Sequence, residues 1–139
     1  MAVQIDIVYE GGLHCTAKHG PSKQTLTSDA PVDNGGKGAA FSPTDLVATA
    51  LGTCMATVMG LVAQRNNLNI EGLQIQVLKE MSSDTPRRIS ALKTRLVFPR
   101  GKELSAADRA KLEATAKGCP VKQSLRADVN TPIEFVYQD

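Results

Sequence analysis

Alternating apolar and polar residues open the chain. Val3, Ile5 and Ile7 are separated by polar residues, which is typical of one side of a half-buried strand. Two glycine-containing turns follow at Gly11-Gly12 and Gly20-Pro21. The pattern predicts an N-terminal antiparallel meander of three strands, over residues 2–9, 13–18 and 24–28.

A long uncharged segment follows a glycine-rich loop over 29–42. Ser42 is a suitable N-cap and Pro43 suits the first helical position, so we predict a helix over 43–65. Its interior, 46–63, holds no charged residue. That length alone would fit a membrane span. A stripe of threonines at i, i+4 spacing favours instead a helix of a soluble domain that is buried nearly all round.

The second half of the chain alternates between extended and helical patterns. Period-2 alternation predicts a β-hairpin, and a capping pattern at Ser105 with Gly118 as a stop predicts a second helix. Cys119-Pro120 repeats the cap-then-proline start and predicts a short third helix. These elements indicate a single α+β domain over 1–139, with the hairpin at 70–80 and 88–98, a helix that starts within 104–108 and runs to 117, a short helix from 120 to about 126, and a final strand at 131–137.

The long helix is too large an apolar element for so short a chain to cover. A domain of 139 residues buries only a limited fraction of its surface. We therefore expect an obligate homodimer in which a second subunit covers the remaining face of the helix.

Composition excludes several classes of function. The chain is 42% hydrophobic and 22% charged with a net charge of +2, which argues against disorder and against a nucleic-acid partner. Five aromatic residues and no tryptophan make a base-stacking platform improbable on composition. The first ten residues lack the basic and apolar regions of a secretory signal, so the expected compartment is the cytoplasm.

Three cysteines carry the candidate chemistry, at Cys15, Cys54 and Cys119. Cys54 lies inside the long helix, where burial alone would make a thiol inert unless a cation or hydrogen-bond donor lies nearby. Cys119 is predicted at a helix N-cap, where unpaired N–H groups and the helix dipole would stabilise a thiolate. Each also has a structural interpretation, Cys54 as a small core residue and Cys119 as a cap.

We expect no metal site. Cys15 lies beside His14 and near His19, but neighbouring strand residues point to opposite faces. A regular strand therefore cannot aim His14, Cys15 and His19 at one ion.

Three motifs together resemble the OsmC/Ohr superfamily of osmotically inducible and organic-hydroperoxide-resistance proteins. They are the entry to the long helix, DAPVDNGGKGAAFSPTDL, the helix centre, ALGTCMATVMG, and the start of the third helix, GCPVKQSL. The resemblance covers nearly the whole chain, and the separation of 65 positions between the two cysteines makes it specific. It implies an intertwined homodimer with two central helices wrapped by sheets.

The resemblance also implies residue roles. Cys54 matches the peroxidatic cysteine and Cys119 the resolving cysteine of a peroxidase that reduces organic hydroperoxides, with no cofactor and an external dithiol as reductant. An alternative is a non-catalytic dimer that binds a small apolar or thiol-bearing ligand at its interface.

The chain departs from the family pattern at two points. The well-studied peroxidases hold a glutamate directly after the proline, whereas here Thr44 takes that position and Asp45 supplies the acid. They also use an arginine from the N-terminal strands, but this chain has none before Arg65. Thr44, Asp45 and His14 are therefore expected as supporting residues, with Lys18, Arg87 and Arg88 as other sources of charge.

Overall fold

The computed structural model describes all residues from Met1 to Asp139 and divides into two compact units, Met1–Val47 and Ala48–Asp139. All predicted strands and helices are present, with ends that differ from the predicted ones by a few residues. Their bounds are β1 Ile5–Tyr9, β2 His14–His19, β3 Thr25–Asp29, α1 Pro43–Arg65, β4 Gln74–Met81, β5 Ile89–Phe98, α2 Ala106–Lys117, α3 Pro120–Ser124 and β6 Ile133–Tyr137.

The first unit contains the predicted meander, an antiparallel sheet in the order β1-β2-β3. Ile7 pairs with Ala17, and Ala17 pairs with Leu26, so these side chains share one apolar face. The half-burial predicted for β1 is wrong within a single chain, because Ile7 is 65% exposed and Ile5 is 50% exposed. The sheet forms one layer, and this face is left open to solvent.

A capping box starts α1. The Ser42 hydroxyl accepts a hydrogen bond from the Asp45 amide at 3.1 Å, and the Asp45 carboxylate accepts one from the Ser42 amide at 2.9 Å. Pro43 occupies the first helical position, where no N–H is needed. The predicted helix over 43–65 is confirmed at both ends.

Burial of α1 is confined to one side of the helix. Leu51, Met55 and Met59 are fully buried, at the helical spacing of four residues, whereas Thr53 and Thr57 are exposed. Both hydroxyls donate to carbonyl groups one turn earlier in the helix. By length and composition alone α1 could cross a membrane. One chain therefore buries only one side of α1, and the expected burial nearly all round is not met.

The second unit holds a sheet in the order β4-β5-β6. β4 and β5 form the predicted antiparallel hairpin, whereas β6 pairs with β5 in parallel. A parallel neighbour requires a crossover, and the segment containing α2 and α3 supplies it. Leu92, Leu96 and Phe98 lie on one face of β5 and are 0–2% exposed, as their alternation predicts.

Tyr137 links the end of β6 to α2, the first helix of the crossover. Its ring stacks on Phe98 with centroids 5.0 Å apart, and its hydroxyl donates to the Glu113 carboxylate of α2 at 2.7 Å. The Arg109 guanidinium lies 4.4 Å from the ring centroid and donates to the Gly101 carbonyl. This cluster therefore ties α2 to the sheet, and α2 ends at Lys117, two residues before Cys119.

Candidate active site

Two of the three cysteines lie against each other in the second unit. Cys54 projects from the middle of α1, and Cys119 lies at the N-cap of α3. The Cys54 side chain lies close enough to Cys119 to raise the pKa of its thiol, and both are free thiols. Two reactive groups 65 positions apart in the sequence thus form one pair.

The local sequence explains the placement of Cys119. Its backbone is extended, with φ −62° and ψ 145°, and Pro120 follows at the first helical position. Its Sγ accepts a hydrogen bond from the Lys122 amide at 3.4 Å. The predicted N-cap is therefore confirmed.

The predicted low-pKa thiolate at Cys119 is wrong. Burial raises the pKa of the Cys119 thiol, and the neighbouring Cys54 side chain raises that pKa further. The backbone amides of Lys122 and Val121 act in the opposite direction but are outweighed. With the side chain 0% exposed, desolvation of the charged form exceeds what the start of a five-residue helix provides.

Cys54 is the more accessible member of the pair. It is only partly buried, whereas its helix neighbours Leu51 and Met55 are 0% exposed. A partly exposed nucleophile beside a buried thiol is suited to thiol–disulfide chemistry, because one sulfur is accessible to the substrate and the other can react with it after it has been oxidised.

Thr44 and Asp45 are placed at the start of α1. Asp45 forms the capping box with Ser42, and the hydroxyls of Thr44 and Ser42 lie 3.3 Å apart. Both residues thus have a role in starting the helix that carries Cys54. Their predicted support of the chemistry stays a prediction.

His14 is held by a buried carboxylate in the first unit. Its Nδ1 lies 2.5 Å from Oδ1 of Asp29, which is only 5% exposed. Because an ionised carboxylate can only accept, Nδ1 carries the proton and Nε2 points away, 3.8 Å from Glu10. The hydrogen bond from His14 lowers the pKa of Asp29, and the Ala39 amide, which donates to Oδ2 at 2.9 Å, lowers it further.

Sequence reasoning missed Asp29, although its position carried a signal. It is the last residue of β3 and the first of the glycine-rich loop, where a side chain can accept loop amides. That loop is tightly built, since a Cβ on Gly36 would lie 1.8 Å from the Ala30 carbonyl oxygen.

Cys15 belongs to the first unit and is not a member of the thiol pair. Cys15 is on the open apolar face of the first sheet, opposite Tyr9. No three His, Cys, Asp or Glu side chains are grouped to hold a metal ion. A groove of about 340 Å³ lies on the second sheet and includes neither Cys54 nor Cys119; it is lined by Gln76, Leu78, Lys93, Thr94, Arg95, Pro132, Ile133 and Glu134.

Comparison with solved structures identifies the fold. A putative osmotic stress induced and detoxification response protein from Psychrobacter arcticus is 38% identical, with a TM-score of 0.89 over 94% of this chain and 93% of its own. An organic hydroperoxide resistance protein OsmC from Legionella pneumophila is 17% identical, with a TM-score of 0.73 over 98% of this chain and 97% of its own.

A third structure was solved with a small molecule. It is a putative organic hydroperoxide resistance protein from Vibrio cholerae with captopril bound in one of the active sites, 15% identical with a TM-score of 0.73 over 95% of this chain and 90% of its own. No curated protein sequence matches the chain.

The family model described as OsmC-like protein matches residues 35–134, which include both members of the thiol pair. Together with the 38% identical structure, this match covers the α1 entry, the helix centre and the start of α3. The chain belongs to the OsmC-like protein family.

Proposed function

We propose that the protein is a thiol-dependent peroxidase that reduces organic hydroperoxides through Cys54 and Cys119. The observation that carries the proposal is the contact between a partly exposed thiol and a fully buried one. Family membership and the hydroperoxide-resistance names of similar structures support a role of this general kind.

In the first step the Cys54 thiolate attacks one oxygen of the peroxide O–O bond. An S–O bond forms and the O–O bond breaks, and its electron pair leaves on the alkoxide, which takes a proton to become an alcohol. The peroxide is reduced by two electrons, and Cys54 is oxidised to a sulfenic acid.

In the second step Cys119 attacks the sulfenic sulfur. A disulfide forms, and the hydroxyl leaves with the thiol proton as water. An external dithiol then reduces the Cys54–Cys119 disulfide by two successive exchanges and is itself oxidised. No other cofactor is needed for this cycle.

Turnover of purified protein with cumene hydroperoxide and a dithiol tests the proposal. Cys54→Ser should abolish peroxide consumption, and Cys15→Ser is the matched control that should retain it. Equal rates in wild type and Cys54→Ser would refute the assignment.

We also propose that the working form is a homodimer. The face of the first sheet that carries Ile5, Ile7 and Tyr9 is open to solvent, as is the side of α1 that carries Thr53 and Leu61. A second copy of the chain would cover both open surfaces. Size-exclusion chromatography with light scattering should give twice the mass of the chain; a stable folded monomer at micromolar concentration would contradict this.

His14, Thr44 and Asp45 are proposed as supporting residues of the same chemistry. The Asp29 carboxylate holds the His14 ring in one orientation through the hydrogen bond from Nδ1. Loss of turnover in His14→Gln with unchanged thermal stability would support this role.

The alternative function is non-catalytic binding of a small apolar or thiol-bearing ligand at a dimer interface. Captopril, a thiol compound, bound to the similar Vibrio cholerae protein is the observation that favours it. Two results together would favour it for this chain: a Cys54 thiol inert to alkylation at pH 7, and a ligand that copurifies with the dimer.

A further inference from the structure

The groove on the second sheet lies on the side of the sheet that faces solvent. Lys93 and Arg95 of β5 line it, whereas Leu92 and Leu96, which alternate with them, are 0% exposed on the opposite side. Its volume of about 340 Å³ lies within the range of small-molecule sites. Neither thiol belongs to it, so the peroxidase assignment leaves this groove without a task.

One end of the groove is apolar. Leu78 of β4 pairs in register with Lys93 and is 66% exposed. Pro132 lines the groove on the other side of β5, just before β6 begins. The Lys93 ammonium is paired with Glu80 at 2.6 Å, so its methylene stem is the part that is left to line the groove. Leu78, the Lys93 stem and Pro132 thus form an apolar row across the three strands.

A guanidinium lies next to this apolar row. Arg95 is two residues from Lys93 on the same side of β5, which places the two positions about 7 Å apart along the strand. Its one acidic neighbour within 4 Å is Glu134, whose Oε2 lies 3.6 Å from Nε. That distance is beyond a hydrogen bond, so the fork of N–H donors is free to bind an anion. Gln76, the register partner of Arg95 on β4, also lines the groove and carries further amide donors.

We propose that the groove is a binding site for a free carboxylic acid with an apolar body, of the size of a medium-chain fatty acid. The Arg95 fork binds both carboxylate oxygens, which is the geometry in which arginine binds a carboxylate most strongly. The apolar body lies over the apolar row and is thereby removed from water. The separation of about 7 Å sets the shortest acid that reaches both parts, which acetate does not and octanoate does. The inference adds a ligand site to the proposed function and does not depend on it.

Glu134 is the group that opposes an anion at this site. Its side chain is 65% exposed, and its ion pair with Arg95 at 3.6 Å is long. Exposed pairs of this kind are weak, so the Glu134 side chain can turn into water at little cost. A ligand carboxylate that forms two hydrogen bonds with the fork therefore displaces Glu134. Removal of the Glu134 charge should accordingly tighten the binding of the acid.

The experiment is a titration of the protein with octanoate, followed by proton–nitrogen correlation NMR at pH 7. The backbone amide signals of Thr94, Arg95 and Glu134 should shift together and give one dissociation constant. Octanol, which has the chain without the charge, and acetate, which has the charge without the chain, are the ligand controls. Each should bind at least about tenfold more weakly than octanoate, because each loses one of the two contributions.

Substitutions on the surface of the groove separate the contributions. Arg95→Met keeps an apolar stem but loses the charge and the fork, and should weaken octanoate binding about tenfold. Arg95→Lys keeps the charge without the fork and should weaken it about threefold. Leu78→Asn shortens the apolar row and should also weaken it about threefold. Glu134→Gln should tighten binding about twofold. The side chains changed are exposed, and the NMR spectrum of each variant shows whether it is folded.

Cys54→Ser is the matched control, because Cys54 does not line the groove, and it should bind octanoate as the wild type does. The inference is overturned if octanol binds as tightly as octanoate, if Arg95→Met binds like the wild type, or if octanoate leaves the β5 signals in place. Groove signals that shift with protein concentration alone would assign the groove to a second copy of the chain and would also overturn it. If octanoate binds as expected but the wild type reduces no hydroperoxide, the groove site is supported and the peroxidase assignment fails.

Discussion

The hydroxyl of Tyr137 offers a quantitative test of how the second unit is held together. Tyr137→Phe removes one hydrogen bond, to the Glu113 carboxylate at 2.7 Å, and leaves the ring on Phe98 and beneath Arg109. Burial and the nearby Glu113 carboxylate raise the pKa of Tyr137, so the phenol is a donor at every pH of interest. The substitution thus isolates one bond between β6 and α2.

The magnitude follows from the surroundings of the two groups. Hydrogen bonds to charged groups contribute about 1.5 to 3 kcal/mol when both partners are buried. Glu113 and Tyr137 are only partly buried, so the carboxylate regains water when the hydroxyl is lost. We expect Tyr137→Phe to lower the free energy of unfolding by about 1 kcal/mol and Tyr137→Ala, which also loses the ring contacts, by about 3 kcal/mol.

Urea denaturation at one fixed protein concentration measures both values, since the stability of a dimer would depend on concentration. Tyr9→Phe is the matched control, because the Tyr9 hydroxyl is exposed and only accepts from the Leu13 amide at 3.3 Å. A cycle of Tyr137→Phe with Glu113→Ala gives the coupling energy of the pair. Equal losses in the Tyr137→Phe and Tyr9→Phe variants, or a coupling energy near zero, would refute the reasoning.

Three further predictions concern the first unit and the thiol pair. The hydrogen bond from His14 lowers the pKa of Asp29, so the ionised carboxylate stabilises the fold above the unfolded pKa of about 3.9, and this contribution is lost at lower pH. Asp29→Asn should therefore melt at a lower temperature than the wild type at pH 7, and the difference should shrink as the pH falls through 4. A difference in melting temperature that stays constant with pH would contradict this. Gly36→Ala should cost about 3 kcal/mol in urea denaturation because its Cβ would meet the Ala30 carbonyl, whereas Gly118→Ala, whose nearest atoms are 3.7 Å away, should be nearly neutral. In Cys119→Ser, glutathione with peroxide should form a mixed disulfide on Cys54, whereas in Cys54→Ser the buried Cys119 should stay unmodified. Mass spectrometry measures both adducts, and comparable labelling of the two variants would count against the assigned roles.

Local sequence signals predicted the helices and strands well. The Ser42-Pro43 pair located the start of α1, and Cys119-Pro120 located the start of α3, because caps and prolines act within one turn of their own position. The parallel pairing of β6 with β5 was not predictable in this way. Its apolar pattern fits either edge and either direction, and only packing in three dimensions selects one.

The sequence named Cys54 and Cys119 as candidate site residues but did not predict the direction of the Cys119 pKa shift. The paired roles of Cys54 and Cys119 were expected from the family resemblance, whereas their proximity could be seen only in the folded structure. At Cys119 the helix start is a local feature that would lower the pKa of the thiol, whereas burial depends on the whole unit and raises that pKa instead. The Asp29–His14 pair joins residues 15 positions apart through strand register, which no short motif reveals.

The hydrogen bond from the Lys122 amide to the Cys119 sulfur has a consequence for spectroscopy. When the sulfur enters a disulfide its electron density and orientation change, so the surroundings of the Lys122 amide proton change with them. In the proposed cycle, the amide resonance of Lys122 would shift between the reduced and oxidised protein and return when a dithiol is added. A single backbone signal at the start of α3 would thus give the fraction of oxidised enzyme during turnover, without a label on either cysteine.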